Sequence, residues 1–144
     1  MHSSVRVRAA VLLPCVLVAA VAIAIAQEGA TVWDGVYTQA QATRGQAIYK
    51  EKCQPCHAEM LGGSLMAPTL TGDDFMGDWV GKTVGALVKR TQATMPADDP
   101  GSLMAQQIAD SLAYVFAKNN FPAGSKELGA ELEALNQIRI TPKK

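Results

Sequence analysis

The chain has 144 residues, 49% of them apolar, with 13 Lys and Arg against 13 Asp and Glu. That size and balance fit one small domain with an extension, and they exclude a nucleic-acid binder, which needs a basic excess to meet phosphate. No strong run of like charge marks a face for docking.

Arg6 and Arg8 precede an apolar run over residues 9–25 that ends in Ala24-Ile25-Ala26. A basic start, a short apolar core and an A-x-A exit predict a secretory signal over residues 1–26, with cleavage before Gln27 and release into the periplasm. The competing reading is an uncleaved membrane anchor, because the run approaches spanning length. Cys15 lies in this run, and Leu12-Leu13-Pro14-Cys15 is faintly similar to a lipidation site; the proline and the short apolar stretch ahead of it favour a buried cysteine discarded with the signal. Without the segment, 11 Lys and Arg face 13 Asp and Glu, so the mature part is slightly acidic.

Residues 27–35 show no clear period and form an N-terminal extension, with Trp33 and Val36 placed to tuck onto the domain. Thr38-Gln39-Ala40-Gln41 has the form of a capping box, which predicts a helix to about residue 52. Ala42, Gly45, Ile48, Tyr49 and Lys52 lie along one side of it. Gly45 inside a helix costs about 1 kcal/mol relative to Ala, and a close crossing with a second helix would justify it.

Cys53-Gln54-Pro55-Cys56-His57 follows, two cysteines two residues apart with histidine directly after the second. This is the covalent attachment signature of a c-type haem. On one helical turn both thiols face the same side and can add to the two vinyl groups of one porphyrin, which carries His57 under the iron as an axial ligand. A thioredoxin-like dithiol would need a βαβ pattern around the pair, and no strand-like alternation is present. A zinc site is weaker, since no second Cys/His pair follows.

Gly62-Gly63 predicts a helix stop and a loop. Residues 65–70 read as apolar and extended, because Pro68 biases Ala67 away from the helical region. A ligating histidine needs its other ring N–H held by an acceptor, and the Pro68 carbonyl is the candidate. Leu70 would then lie against the porphyrin. Residues 71–77 read as a polar loop; the Trp79 indole is placed either to reach a haem propionate or to fill the core.

Residues 82–91 predict a short helix capped by Thr83, with Val84, Leu87 and Val88 inward. Thr94-Met95-Pro96 and Pro100 then forbid a continuing helix, so Met95 sits on a constrained loop. A loop methionine well downstream of such a signature is the expected second axial ligand. Met60 is too close to His57 to cross the ring and Met66 lies in the proximal wall, whereas Met76 and Met104 remain open as rivals, and a methionine is otherwise a soft core filler. Residues 105–119 predict an amphipathic helix from Ile108, Ala109, Leu112, Val115 and Phe116, with Tyr114 and Leu112 set against Gly45 and Tyr49. Residues 125–144 form a C-terminal extension, with a short helix over 126–135 and a basic tail of unreadable order.

These motifs resemble those of the class I monohaem cytochromes c over about residues 36–122, carried by Cys53, Cys56, His57, Ala67-Pro68-Thr69-Leu70, Thr94-Met95-Pro96 and Leu112-Ala113-Tyr114-Val115. The resemblance implies an all-α cytochrome c domain over residues 36–124, with first and last helices crossing beside one covalent haem c and His57/Met95 ligation. Trp33-Asp34-Gly35-Val36-Tyr37 and Phe121-Pro122-Ala123-Gly124 further resemble small exported cytochromes c found beside quinoprotein dehydrogenases. One departure is Met104, where such proteins often start the last helix with Ser or Thr; the alternatives are that Ser102 takes over the cap or that the helix start frays.

With both axial positions filled there is no open site for oxygen or peroxide, and the soft thioether raises the reduction potential. The expected activity is outer-sphere transfer of one electron between redox proteins met transiently, a quinoprotein dehydrogenase and a terminal oxidase among the candidates, with no substrate transformed. Two alternatives stand beside it. One is a five-coordinate haem that binds small ligands or peroxide, and the other is a dedicated cytochrome subunit of a dehydrogenase.

Overall fold

Thr38 opens the first helix as its sequence predicts: its hydroxyl accepts from the Gln41 amide at 3.1 Å. The computed structural model describes residues 29–143, and the helices there are α1 (Gln39–Lys52), α2 (Gln54–His57), α3 (Gly72–Trp79), α4 (Val84–Thr94), α5 (Ala105–Lys118) and α6 (Leu132–Leu135). No strand forms among the described residues, where only isolated bridges join Thr31 and Thr83 to Arg139 and Ser64 to Ala67. The segment expected to be a signal, Cys15 included, lies outside the described residues.

The main frame is the contact of α1 with α5. Residues 108–116 are all buried, so α5 is covered on every side, as a central helix must be. Gly45 meets it at the backbone: a Cβ there would stand 1.8 Å from the Asp110 carbonyl oxygen and 3.1 Å from the Ser111 nitrogen. The atoms nearest Gly45 are therefore main chain of Asp110 and Ser111, one to two residues before the expected partner Leu112, while Tyr49 and Tyr114 do meet, with ring centroids 5.2 Å apart.

Gln41 departs from the capping box. Its side chain is fully buried, donates to Asp110 at 3.0 Å and to the Leu128 carbonyl at 2.8 Å, and accepts from the Leu128 amide at 2.7 Å. Arg44 adds bonds to both Asp110 and Glu127. A buried carboxylate left alone would be strongly disfavoured, and here every buried side-chain polar atom among the described residues is bonded. Burial alone would raise the pKa of Asp110, but hydrogen bonds from Arg44, Gln106 and Gln41 outweigh it and hold the carboxyl below its ordinary value.

Three local expectations are corrected. Residues 72–79 are helical rather than a loop; Gly72 and Gly77 masked the signal of Asp73 and Asp74, which suit the positive end of a helix dipole. Residues 64–67 close a tight turn, not an extended run, because the extending influence of Pro68 reaches only Ala67. The start of α5 is Met104 itself, whose amide is met by the Gln107 side chain at 2.9 Å, so Ser102 is not the cap.

The two flanking segments are packed onto the domain. Trp33 meets Phe121 edge-on at 4.8 Å, and Tyr37 donates to the Phe121 carbonyl at 2.6 Å. Of residues 126–135 only Leu132–Leu135 is helical, and the tail is ordered: Leu128, Leu135 and Ile140 are buried in the common core.

Candidate haem-attachment site

The Cys53 amide closes α1 on Tyr49, and the chain turns at once into α2, where Pro55 suits the first turn because its missing N–H is not needed. The His57 and Cys56 amides both bond the Cys53 carbonyl, at 2.9 and 3.2 Å. That single turn places both thiols beside one another with no disulfide between them, Cys53 half-buried and Cys56 exposed. Burial, and secondarily the neighbouring Cys56, pushes the Cys53 thiol up to about 11.

His57 is buried, and its Nδ1 lies 2.8 Å from the Pro68 carbonyl oxygen. A carbonyl can only accept, so Nδ1 is the donor, and in the neutral ring that tautomer leaves the Nε2 lone pair available to a metal. The loop that presents this carbonyl is held on several sides. Gly63 adopts φ +73°, and a Cβ there would come within 2.6 Å of the Ala67 oxygen and 2.7 Å of the Pro68 carbonyl carbon. The Leu70 amide and the Thr69 hydroxyl both bond the Leu61 carbonyl. Tyr49 donates to the Ala58 carbonyl at 2.7 Å, and Asn119 at the end of α5 donates to the Leu70 carbonyl at 2.9 Å. Tyr49 and Asn119 thus tie the loop to the α1–α5 frame. In the sequence Asn119 reads only as a helix stop, and nothing local announces its bond to Leu70.

Leu70 and Trp79 are both half-buried and pack against the core. The Lys82 ammonium sits 4.9 Å from the centroid of the Trp79 ring. Met95 caps α4, half-buried, with its amide bonded to the Thr91 carbonyl at 2.8 Å. The pKa of Lys52 is raised chiefly by its ion pair with Glu51. Of the rivals, Met76 packs on the core and Met104 is 68% exposed. Leu65, Met66 and Met60 are exposed on the loop that follows His57.

Two unpaired thiols on one turn, directly before a buried histidine whose Nδ1 is held by a carbonyl, fit the demands of a c-type haem, and no part of the donor set conflicts with it. With its helical fold, the chain is a c-type cytochrome, an electron-transfer protein. It belongs to the family described as cytochrome c oxidase, cbb3-type, subunit III, whose model matches residues 40–115, just over half of the chain. No curated protein and no solved structure matches it. The match runs from the first turn of α1 into α5. Among the described residues no helix is long and apolar enough to cross a membrane.

Proposed function

We propose that this protein is an exported one-electron carrier with a single haem c, bound covalently through Cys53 and Cys56 and ligated by His57 and Met95. The observation that carries the reading is the buried His57 ring, fixed by the Pro68 carbonyl beside two free thiols. When bound, the haem supplies reversible exchange of one electron between ferrous and ferric iron. The chain does the rest. The Pro68 carbonyl fixes the tautomer of His57 and raises the basicity of its Nε2. Leu70, on the core side, excludes water, and Trp79 at the end of α3 is offered to a propionate. For Met95 the support is its half-buried place outside the core cluster, where Met76 is committed to packing and Met104 points to solvent. Filling both axial positions would leave no place for a substrate.

The test is the absorption spectrum of the mature ferric protein. A sulfur-to-iron charge-transfer band is expected, together with a reduced form inert to carbon monoxide. Met95→Ala should abolish the band and lower the potential. An unchanged Met95→Ala spectrum moves the ligand to Met76 or Met104, and a wild type that lacks the band and binds carbon monoxide readily refutes the carrier reading in favour of a five-coordinate haem.

The donor and acceptor are proposed by class, a dehydrogenase, with a quinoprotein dehydrogenase as candidate, and a terminal oxidase. The description of the matched family as an oxidase subunit supports the oxidase side and a second reading, in which the chain is a bound subunit. Purification under mild conditions separates them: a carrier comes away alone, a subunit with a larger chain.

A further inference from the structure

Residues 125–143 run as a strap from the α1–α5 frame to the start of α4. At one end Gln41 holds both backbone groups of Leu128. At the other, the Val84 amide donates to the Ile138 carbonyl at 2.9 Å and the Gly81 amide to the Ile140 carbonyl at 2.9 Å, while the Ile140 amide returns to Lys82 at 3.0 Å. The first amides of a helix have no partner within it, and the Ile138 carbonyl satisfies one of them for α4. The Thr83 hydroxyl, which caps α4, donates to Asn136 Oδ1 at 3.1 Å. Between them lies Gly85: a Cβ there would fall 2.2 Å from Asn136 Oδ1 and 2.7 Å from its Cγ. Leu135 and Ile140 are buried beneath this clip, and α6 packs on α4.

The helix so held ends at Met95. Its last turn is regular, with the Thr91 hydroxyl bonded to the Leu87 carbonyl and the Met95 amide to the Thr91 carbonyl, so any tilt imposed at Val84 is delivered to residue 95. We infer that the strap, through the seating of Asn136 on Gly85 and Thr83, is a positioning device that holds Met95 on the haem iron. The inference rests on the Met95 ligation proposed above. Gly85 and Asn136 do not touch the reacting centre; they act through α4.

The experiment uses the full-length holoprotein in four forms: wild type, Gly85→Ala, Asn136→Ala and the double variant. The readouts are the ferric charge-transfer band, carbon monoxide binding by the reduced protein and the midpoint potential. Gly85→Ala adds a methyl where none fits, and overpacking of that order raises the Met-off fraction about tenfold or more. The band should weaken, carbon monoxide should bind correspondingly faster, and the potential should fall. Adding Asn136→Ala removes the two nearest atoms, Oδ1 and Cγ, and leaves the Asn136 amide nitrogen at 3.0 Å, so it should restore all three toward the level of Asn136→Ala alone. A variant that merely loosened the fold would lower the unfolding temperature with the band intact at room temperature, and that result overturns the proposal, as does a double variant no better than Gly85→Ala alone. Should Gly85→Ala yield no holoprotein, Asn136→Ala decides, since loss of the Thr83 bond weakens the band if the strap positions Met95 and leaves it unchanged if it does not. Met95→Ala run alongside separates the two levels. Retention of its band refutes the ligand assignment, whereas its loss beside an unaffected Gly85→Ala refutes only the strap.

Discussion

Gly45→Ala tests the crossing on which the whole site is hung. Alanine improves intrinsic helix propensity by about 1 kcal/mol, so an exposed Gly45 would give a more stable variant. The structure predicts the opposite sign. The added Cβ would stand 1.8 Å from the Asp110 carbonyl oxygen and 2.4 Å from its carbon, against about 3.4 Å for ordinary contact, and both offending atoms are backbone that cannot swing aside. α1 and α5 must part by roughly 1.5 Å, and overpacking of this kind costs about 1–3 kcal/mol or somewhat more. The same parting stretches the 3.0 Å bond from Gln41 to Asp110 beyond reach, and a hydrogen bond to a charged group is worth about 1.5–3 kcal/mol. After subtracting the propensity gain, the net loss is about 3 kcal/mol, a fall in melting temperature of about 10 °C for a domain of this size. Thermal unfolding of the holoprotein followed by far-ultraviolet circular dichroism reads it directly. A variant that melts at or above the wild-type temperature would show that the two backbones do not meet at residues 45 and 110.

Asp110 should make stability pH-dependent on the acid side. Its folded pKa is depressed below the unfolded value, so the stability it confers is complete above the unfolded carboxylate range, near pH 4, and is lost as pH falls through the folded pKa. Asp110→Asn should therefore be less stable at neutral pH and flatter in acid, and parallel acid-unfolding curves for the two proteins would contradict this. Gly63→Ala forces a side chain onto a residue at φ +73° and against the Ala67 and Pro68 main chain. It should shift the carbonyl that holds His57, make the imidazole a weaker donor to ferric iron and raise the reduction potential; a redox titration that matches wild type would remove Gly63 from the support of the site.

Sequence reading reached what depends on near neighbours. The thiol and histidine spacing, the Thr38 and Thr83 caps and the amphipathic period of α5 each span a turn or two, and each needs no knowledge of the rest of the chain. Even Gly45 announced a close crossing, since a glycine inside a helix asks for a reason. What stayed hidden depends on distant partners. Gln41 looked like half of a capping box because its true partners, Asp110 and Leu128, are 69 and 87 residues away. Asp110 in the buried middle of α5 is illegible until Arg44, Gln41 and Gln106 are seen around it. The tail after residue 125 is polar enough to read as loose, and its anchoring depends on distant partners: Gln41 for the Leu128 amide, Ala30 for that of Arg139 and Lys82 for that of Ile140.

The two sides of the site are accordingly built in different ways. On the histidine side, Cys53, Cys56, His57 and the Pro68 carbonyl lie within sixteen residues of one another in the chain, and their mutual bonds close short loops. On the methionine side, the start of α4 is fixed by residues more than fifty positions later, Thr83 by Asn136 and Val84 by Ile138. Closing a longer loop carries a larger entropic penalty, which grows slowly with length, so the histidine side can organise from local sequence while the methionine side waits on docking of the chain end. The residues matched by the family model, 40–115, include both axial candidates but not the strap. On the proposed ligation, this chain therefore draws its attachment chemistry from the part it shares with that family, and the seating of its sixth ligand from a segment beyond it. Variation in the strap would then tune how firmly Met95 is held without touching the haem-attachment turn.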